Sequence, residues 1–144
     1  MKIFIVDDSA VFRERLIEML SGIPGLKVIG QAQNAQEAIK DIKKLKPDMV
    51  ILDVRMLGRN GIDIIKNIKK GKAAPLVIIF TNYPYSQYRK KCKEAGADFF
   101  FEKPTELQKV IEVLEKLIHR FNSQNRLQTK RWKKTKKNDK KRHF

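Results

Sequence analysis

At 144 residues and 16.8 kDa, with 42% hydrophobic and 33% charged residues, the chain has room for one soluble domain and is too short for two ordinary ones. Its formal charge is +16, from 32 Lys and Arg against 16 Asp and Glu, and ten of those basic residues fall between Arg126 and Phe144. The apolar run Pro75 to Phe80 is far short of the roughly 20 residues that cross a bilayer, Asp7 and Asp8 interrupt any signal-peptide core, and the single Cys92 excludes a disulfide framework, so the expected compartment is the reducing cytoplasm.

Lys2 to Val6 has a strand pattern and ends in two carboxylates. Ser9 is placed to cap a helix whose apolar positions Phe12, Leu16, Met19 and Leu20 share a face, and Ser21 to Gly25 breaks it. Leu26 to Ala32 reads as a second strand. Asn34 with Glu37 forms a capping box for a helix through Leu45, with Ala35, Ala38, Ile39 and Ile42 inward. Pro47 opens a third strand, Asp48 to Asp53, and Leu76 to Phe80 makes a fourth. Both are apolar without alternation, as in a parallel sheet covered by helices on both faces. Between them, the turn Gly58 to Gly61 leads into a helix from about Ile62 to Lys70. A further helix, Ser86 to Ala95, stops at Gly96, and Asp98 to Glu102 is the fifth strand. Thr105 with Gln108 is expected to cap the last helix, whose stripe is Leu107, Val110, Ile111, Leu114, Leu117, Ile118 and Phe121. Five βα units predict an α/β fold with a parallel sheet, in which ligands sit beyond the carboxyl ends of the strands.

The side chains just past those ends are Asp7 and Asp8, Asp53, Thr81 and Lys103. Three carboxylates on one edge repel unless a cation neutralises them, and Mg²⁺ suits one or two direct carboxylates plus waters. With the charge balanced, one carboxylate oxygen can attack a phosphoryl group, while Lys103 and Thr81 stabilise the transferring oxygens.

From Met1 to about Phe121 the chain resembles the receiver domain of two-component response regulators. The resemblance is carried by Val6-Asp7-Asp8-Ser9, Asp48 to Asp53, Asn60-Gly61, Phe80-Thr81 and the run Gly96 to Pro104. It implies a doubly wound five-stranded sheet with the flavodoxin- and CheY-like order 2-1-3-4-5. It also implies that Asp53 is the phosphoacceptor, that Asp8, Asp53 and the backbone carbonyl of Arg55 bind Mg²⁺ directly, and that Asp7 acts through water. Thr81 and Lys103 would contact the phosphoryl oxygens, Phe100 would be the aromatic switch, and Lys103-Pro104 would be a cis peptide. The donor would be a histidine kinase or phosphotransfer protein. A downstream partner would read the face made by the fourth helix, fifth strand and fifth helix. The chain would then be a stand-alone phosphoacceptor that catalyses its own phosphorylation and dephosphorylation, and not an independent enzyme. Leu57, Arg59 and Asn82 depart from the family's usual residues, and Arg55 lies at a position that influences acyl-phosphate lifetime.

Other residues carry lesser expectations. Cys92 reads as a small packed hydrophobe, and His119 and His143 lack partners at zinc-ligand spacing. Tyr83-Pro84-Tyr85 with Tyr88 reads either as a partner surface or as cover for a loop. Residues 122–144 form a basic tail that either keeps the chain soluble or, with Trp132, contacts nucleic acid or an anionic membrane; an adaptor acting through this tail is the rival function. An aspartyl-phosphate phosphohydrolase is a weaker rival, because Arg55 occupies the place of the second acid.

Overall fold

The structure, a computed structural model, describes residues 1–56, 59–71, 73–82, 86–103 and 105–124, with the backbone alone at 55, 56, 59, 60 and 124. Leu57, the side chain of Arg59, Tyr83 to Tyr85, Pro104 and with it the expected cis peptide, and the tail from 125 on lie outside the described residues, Trp132 and His143 among them.

The elements alternate throughout: β1 (Lys2–Val6), α1 (Ala10–Ser21), β2 (Lys27–Ala32), α2 (Ala35–Leu45), β3 (Met49–Leu52), α3 (Gly61–Ile68), β4 (Leu76–Thr81), α4 (Ser86–Ala95), β5 (Phe99–Glu102) and α5 (Leu107–Gln124). A two-residue antiparallel ladder, Arg55–Met56 with Arg59–Asn60, links β3 to α3. All pairings in the main sheet are parallel, in the order β2-β1-β3-β4-β5, as the resemblance implied.

Period-two alternation sorts the strand side chains onto two faces. Phe4, Val6, Val50, Leu52, Val77, Ile79 and Phe100 pack with the inner faces of α2, α3 and α4. Ile3, Ile5, Met49, Ile51, Ile78, Phe80, Phe99 and Phe101 pack with α1 and α5. The unbroken apolar runs of β3 and β4 are thus buried on both sides, as their sequences required. Two of the three expected N-caps form: Ser9 Oγ accepts from the Phe12 amide at 3.2 Å and Asn34 Oδ1 from the Glu37 amide at 2.9 Å.

Two local expectations are corrected. Met19 is 42% exposed, because the buried stripe of α1 follows the four-residue step from Leu16 to Leu20 and leaves position 19 on its flank. At the start of α5 the first helical residue is Leu107, so Glu106, not Thr105, occupies the cap position. Its carboxylate accepts from the Glu102 amide at 2.9 Å and pairs with Lys109 at 2.8 Å. The helix then runs three residues beyond Phe121. No described helix is long and apolar enough to cross a membrane.

Candidate functional site

The tips of β1, β3, β4 and β5 are stitched together by backbone hydrogen bonds that continue past the strands. The Asp7 amide donates to the Ala32 carbonyl at 3.1 Å, the Asp53 amide to Val6 at 3.0 Å, and the Lys103 amide to Thr81 at 2.8 Å. Sheet register therefore fixes the bases of Asp7, Asp53, Thr81 and Lys103 relative to one another.

Their side chains converge. Asp53 Oδ1 accepts from Thr81 Oγ1 at 2.9 Å, and Asp53 Oδ2 accepts from Lys103 Nζ at 3.1 Å. Lys103 also pairs with Asp7 Oδ2, so one ammonium bridges two carboxylates. Asp7 Oδ1 accepts from the Ser9 amide at 2.9 Å, which orients this carboxylate and tightens the turn into α1. Asp7, Asp53, Thr81 and Lys103 are buried, whereas Asp8 is exposed and opens the cluster to solvent.

The electrostatics are unbalanced by design of the fold. Burial drives the Asp53 carboxyl above its ordinary value; Lys103 opposes this, Asp7 adds to it, and the hydrogen bonds from Thr81 and Lys103 pull it back down. Each of Asp7, Asp8 and Asp53 offers an oxygen, and these lie within 4.8 Å of one another. Three carboxylates against one ammonium leave two negative charges when all are ionised. That residue of charge and the all-oxygen donor set fit a hard divalent cation.

The structure thus brings together Asp7, Asp8, Asp53, Thr81 and Lys103. Arg55 lies on the short ladder directly after the site, paired with Asn60. Gly61 closes over the same loop: its amide donates to the Val54 carbonyl at 2.6 Å, and a Cβ there would come within 2.6 Å of the Asp53 carbonyl oxygen. Phe100 stands on the other face of β5 from Phe99 and Phe101. It is 1% exposed, with the Arg89 guanidinium carbon 4.7 Å from its ring centroid. Asn82, just past Thr81, is exposed. Cys92 is fully buried, and burial pushes its thiol up to about 12, consistent with a packing role.

Two residues of α1 join this neighbourhood without a sequence signal for it. Arg13 donates from Nη1 to the Asp7 carbonyl at 2.5 Å and from Nε to Gln31 Oε1 at 2.7 Å, tying the first loop to the edge strand β2. Phe12, expected only in the apolar stripe of α1, lies beneath the Lys103 ammonium, 3.8 Å from Nζ to ring centroid.

Comparison with known proteins agrees with this geometry. The chain is 36% identical over 129 residues to a protein-glutamate methylesterase/protein-glutamine glutaminase of Clostridium acetobutylicum, covering 86% of this chain and 37% of that protein. It is 33% identical over 120 residues to the transcriptional regulatory protein PdtaR of Mycobacterium tuberculosis, covering 83% of this chain and 58% of the other. It thus spans less than two thirds of the length of these relatives. Among solved structures, the response regulator domain of Thermotoga maritima CheB superposes with a TM-score of 0.71 at 30% identity, covering 83% of this chain and 94% of that one. A chain of the CheX–CheY–BeF3–Mg complex from Borrelia burgdorferi superposes at 0.70 with 29% identity, covering 79% of this chain and 89% of that one. The family model for the response regulator receiver domain matches residues 3–115, and with the fold and strand-end cluster in agreement, the chain belongs to that family.

Proposed function

We propose that this chain is a phosphoreceiver that takes a phosphoryl group onto Asp53 from a histidine kinase or phosphotransfer protein. The observation that carries the reading is the double hold on one buried carboxylate, by Thr81 on one oxygen and Lys103 on the other, inside a cluster with two negative charges in excess. A carboxylate oxygen of Asp53 attacks phosphorus as the bond to the donor nitrogen breaks. The donor imidazole keeps the electron pair, and no net proton transfer is needed at Asp53 when it reacts ionised. Lys103 moves from carboxylate to phosphoryl oxygen, and Thr81 follows by hydrogen bonding to the same group.

Asp8, Asp53 and the Arg55 carbonyl would hold Mg²⁺ directly, with Asp7 acting through water. When bound, the ion supplies neutralisation of the transferring oxygens. A relative whose complex contains BeF3 and Mg supports this choice of metal. The chain acts as a phosphoacceptor that catalyses its own phosphorylation and dephosphorylation, in the cytoplasm. Residues 1–121 are the receiver unit, with the basic segment 122–144 after it. Withdrawal of Thr81 toward the phosphate resets the packing around Phe100, and a partner reads the change on the face of α4, β5 and α5.

The test is incubation of the protein with a small acyl phosphate and Mg²⁺, followed by intact-mass measurement. Wild type should gain one phosphoryl group and Asp53→Asn none. Equal labelling of the two would remove the assignment.

A further inference from the structure

We propose that Phe12 is a positioning residue for Lys103: its ring is the fixed post that keeps the ammonium at the site while the carboxylates around it change charge. The inference rests on the reading of Asp53 as phosphoacceptor. Among the described residues, the Lys103 ammonium contacts Asp7, Asp53 and the face of the Phe12 ring. Phosphorylation and cation binding alter the first two partners. The ring quadrupole is untouched by either event, so it alone offers the ammonium the same attraction before and after transfer.

The post is itself anchored. Phe12 packs on Phe80 with ring centroids 5.7 Å apart and planes inclined by 55°, a tilted arrangement that such pairs favour. Phe80 is buried and immediately precedes Thr81 on β4. The aromatic pair therefore ties the lysine's position to the strand that presents the threonine hydroxyl. A leucine at position 12 could fill much of the same volume and still hold α1 on the sheet, but it has no π face. A packing role is indifferent to ring electronics, whereas a positioning role is not.

Two measurements on the full chain separate these roles. In the unphosphorylated protein, the ring current of Phe12 should shift the Lys103 ε protons upfield by NMR. The shift should vanish in Phe12→Leu and persist in Phe12→Tyr. With a small acyl phosphate and Mg²⁺, Phe12→Leu should label about 3- to 30-fold more slowly than wild type. Installing mono-, di- and trifluorophenylalanine at position 12 should slow labelling stepwise at nearly constant volume, a series that stays informative even if Phe12→Leu folds poorly. A flat fluorination series with normally labelled wild type overturns the Phe12 role alone. Absence of the ring-current shift overturns the contact itself. If the shift is present but wild type takes no phosphoryl group, the phosphoacceptor reading fails and this role fails with it.

Discussion

Placing Asp53 at the tip of β3 removes most of its water, and a neighbouring acid, Asp7, further disfavours its ionised form; Lys103 and Thr81 offset only part of this. Folded Asp53 therefore keeps its proton to a higher pH than the unfolded chain does. Between the two values the native state binds more protons, so stability falls as pH rises through that window. Asp53→Asn should accordingly raise stability at neutral pH by about 0.5–2 kcal/mol, the usual gain from relieving a functional strain. The gain should shrink as pH falls toward the ordinary carboxylate range, where the side chain is uncharged in both states. Thermal melts of both proteins from pH 4 to 8 check this, and a variant no more stable than wild type at pH 7 would refute it. Asp7, Asp8, Asp53, Thr81 and Lys103 could be picked out beforehand because each directly follows a strand pattern. Phe12 and Arg13 could not. Helical period says which face of α1 they occupy, but not that one ring ends under an ammonium from the far end of the chain.

The loop from β3 into α3 depends on a glycine for steric reasons. A Cβ at Gly61 would lie 2.6 Å from the Asp53 carbonyl and 3.0 Å from Val54 Cα, and backbone cannot swing aside as a flexible side chain can. Gly61→Ala should cost about 1–3 kcal/mol in denaturant unfolding and slow labelling of Asp53, because the displaced backbone belongs to Asp53, the proposed phosphoacceptor, and to its neighbour Val54. At the opposite ends of the strands, Asp98 is fully buried. Its Oδ2 accepts from Lys69 Nζ at 2.7 Å and from the Val77 amide at 2.8 Å, joining α3, β4 and the start of β5. Gly96, at φ +113°, gives the Lys69 stem passage, since a Cβ there would meet its Cγ at 3.1 Å. Asp98→Ala removes the buried acceptor shared by the Lys69 ammonium and the Val77 amide and should destabilise by about 3–5 kcal/mol, read from the unfolding midpoint. The stop at Gly96 was legible from composition. The ion pair it accommodates was not, since no local pattern links Lys69 to Asp98. Met19 and Thr105 were misplaced for a related reason: a flank position and a cap one residue away are decided by packing after the helix has formed.

Across the protein, one sheet carries structural and chemical roles at different places. Its two faces are apolar and covered, and the carboxyl-end rim gathers charge that the fold leaves uncompensated. Any cation bound there binds the native state alone, so Mg²⁺ should raise the melting temperature of wild type. At a concentration one hundred times its dissociation constant the stabilisation is about 2.7 kcal/mol. Asp8→Asn should lose most of the shift. Retention of the full Mg²⁺ shift in that variant would place the ion elsewhere. Fold class, strand count and the membership of the rim could be read from the chain, because hydrophobic period and strand-terminal residues are local and each strand in a parallel sheet presents its end to the same side. Which oxygen meets which donor, the bridging of two acids by Lys103, and the seat of that lysine on an aromatic ring emerged only from folding. Those contacts are set by register between strands and by the close packing of residues distant in the chain, and neither leaves a periodic trace.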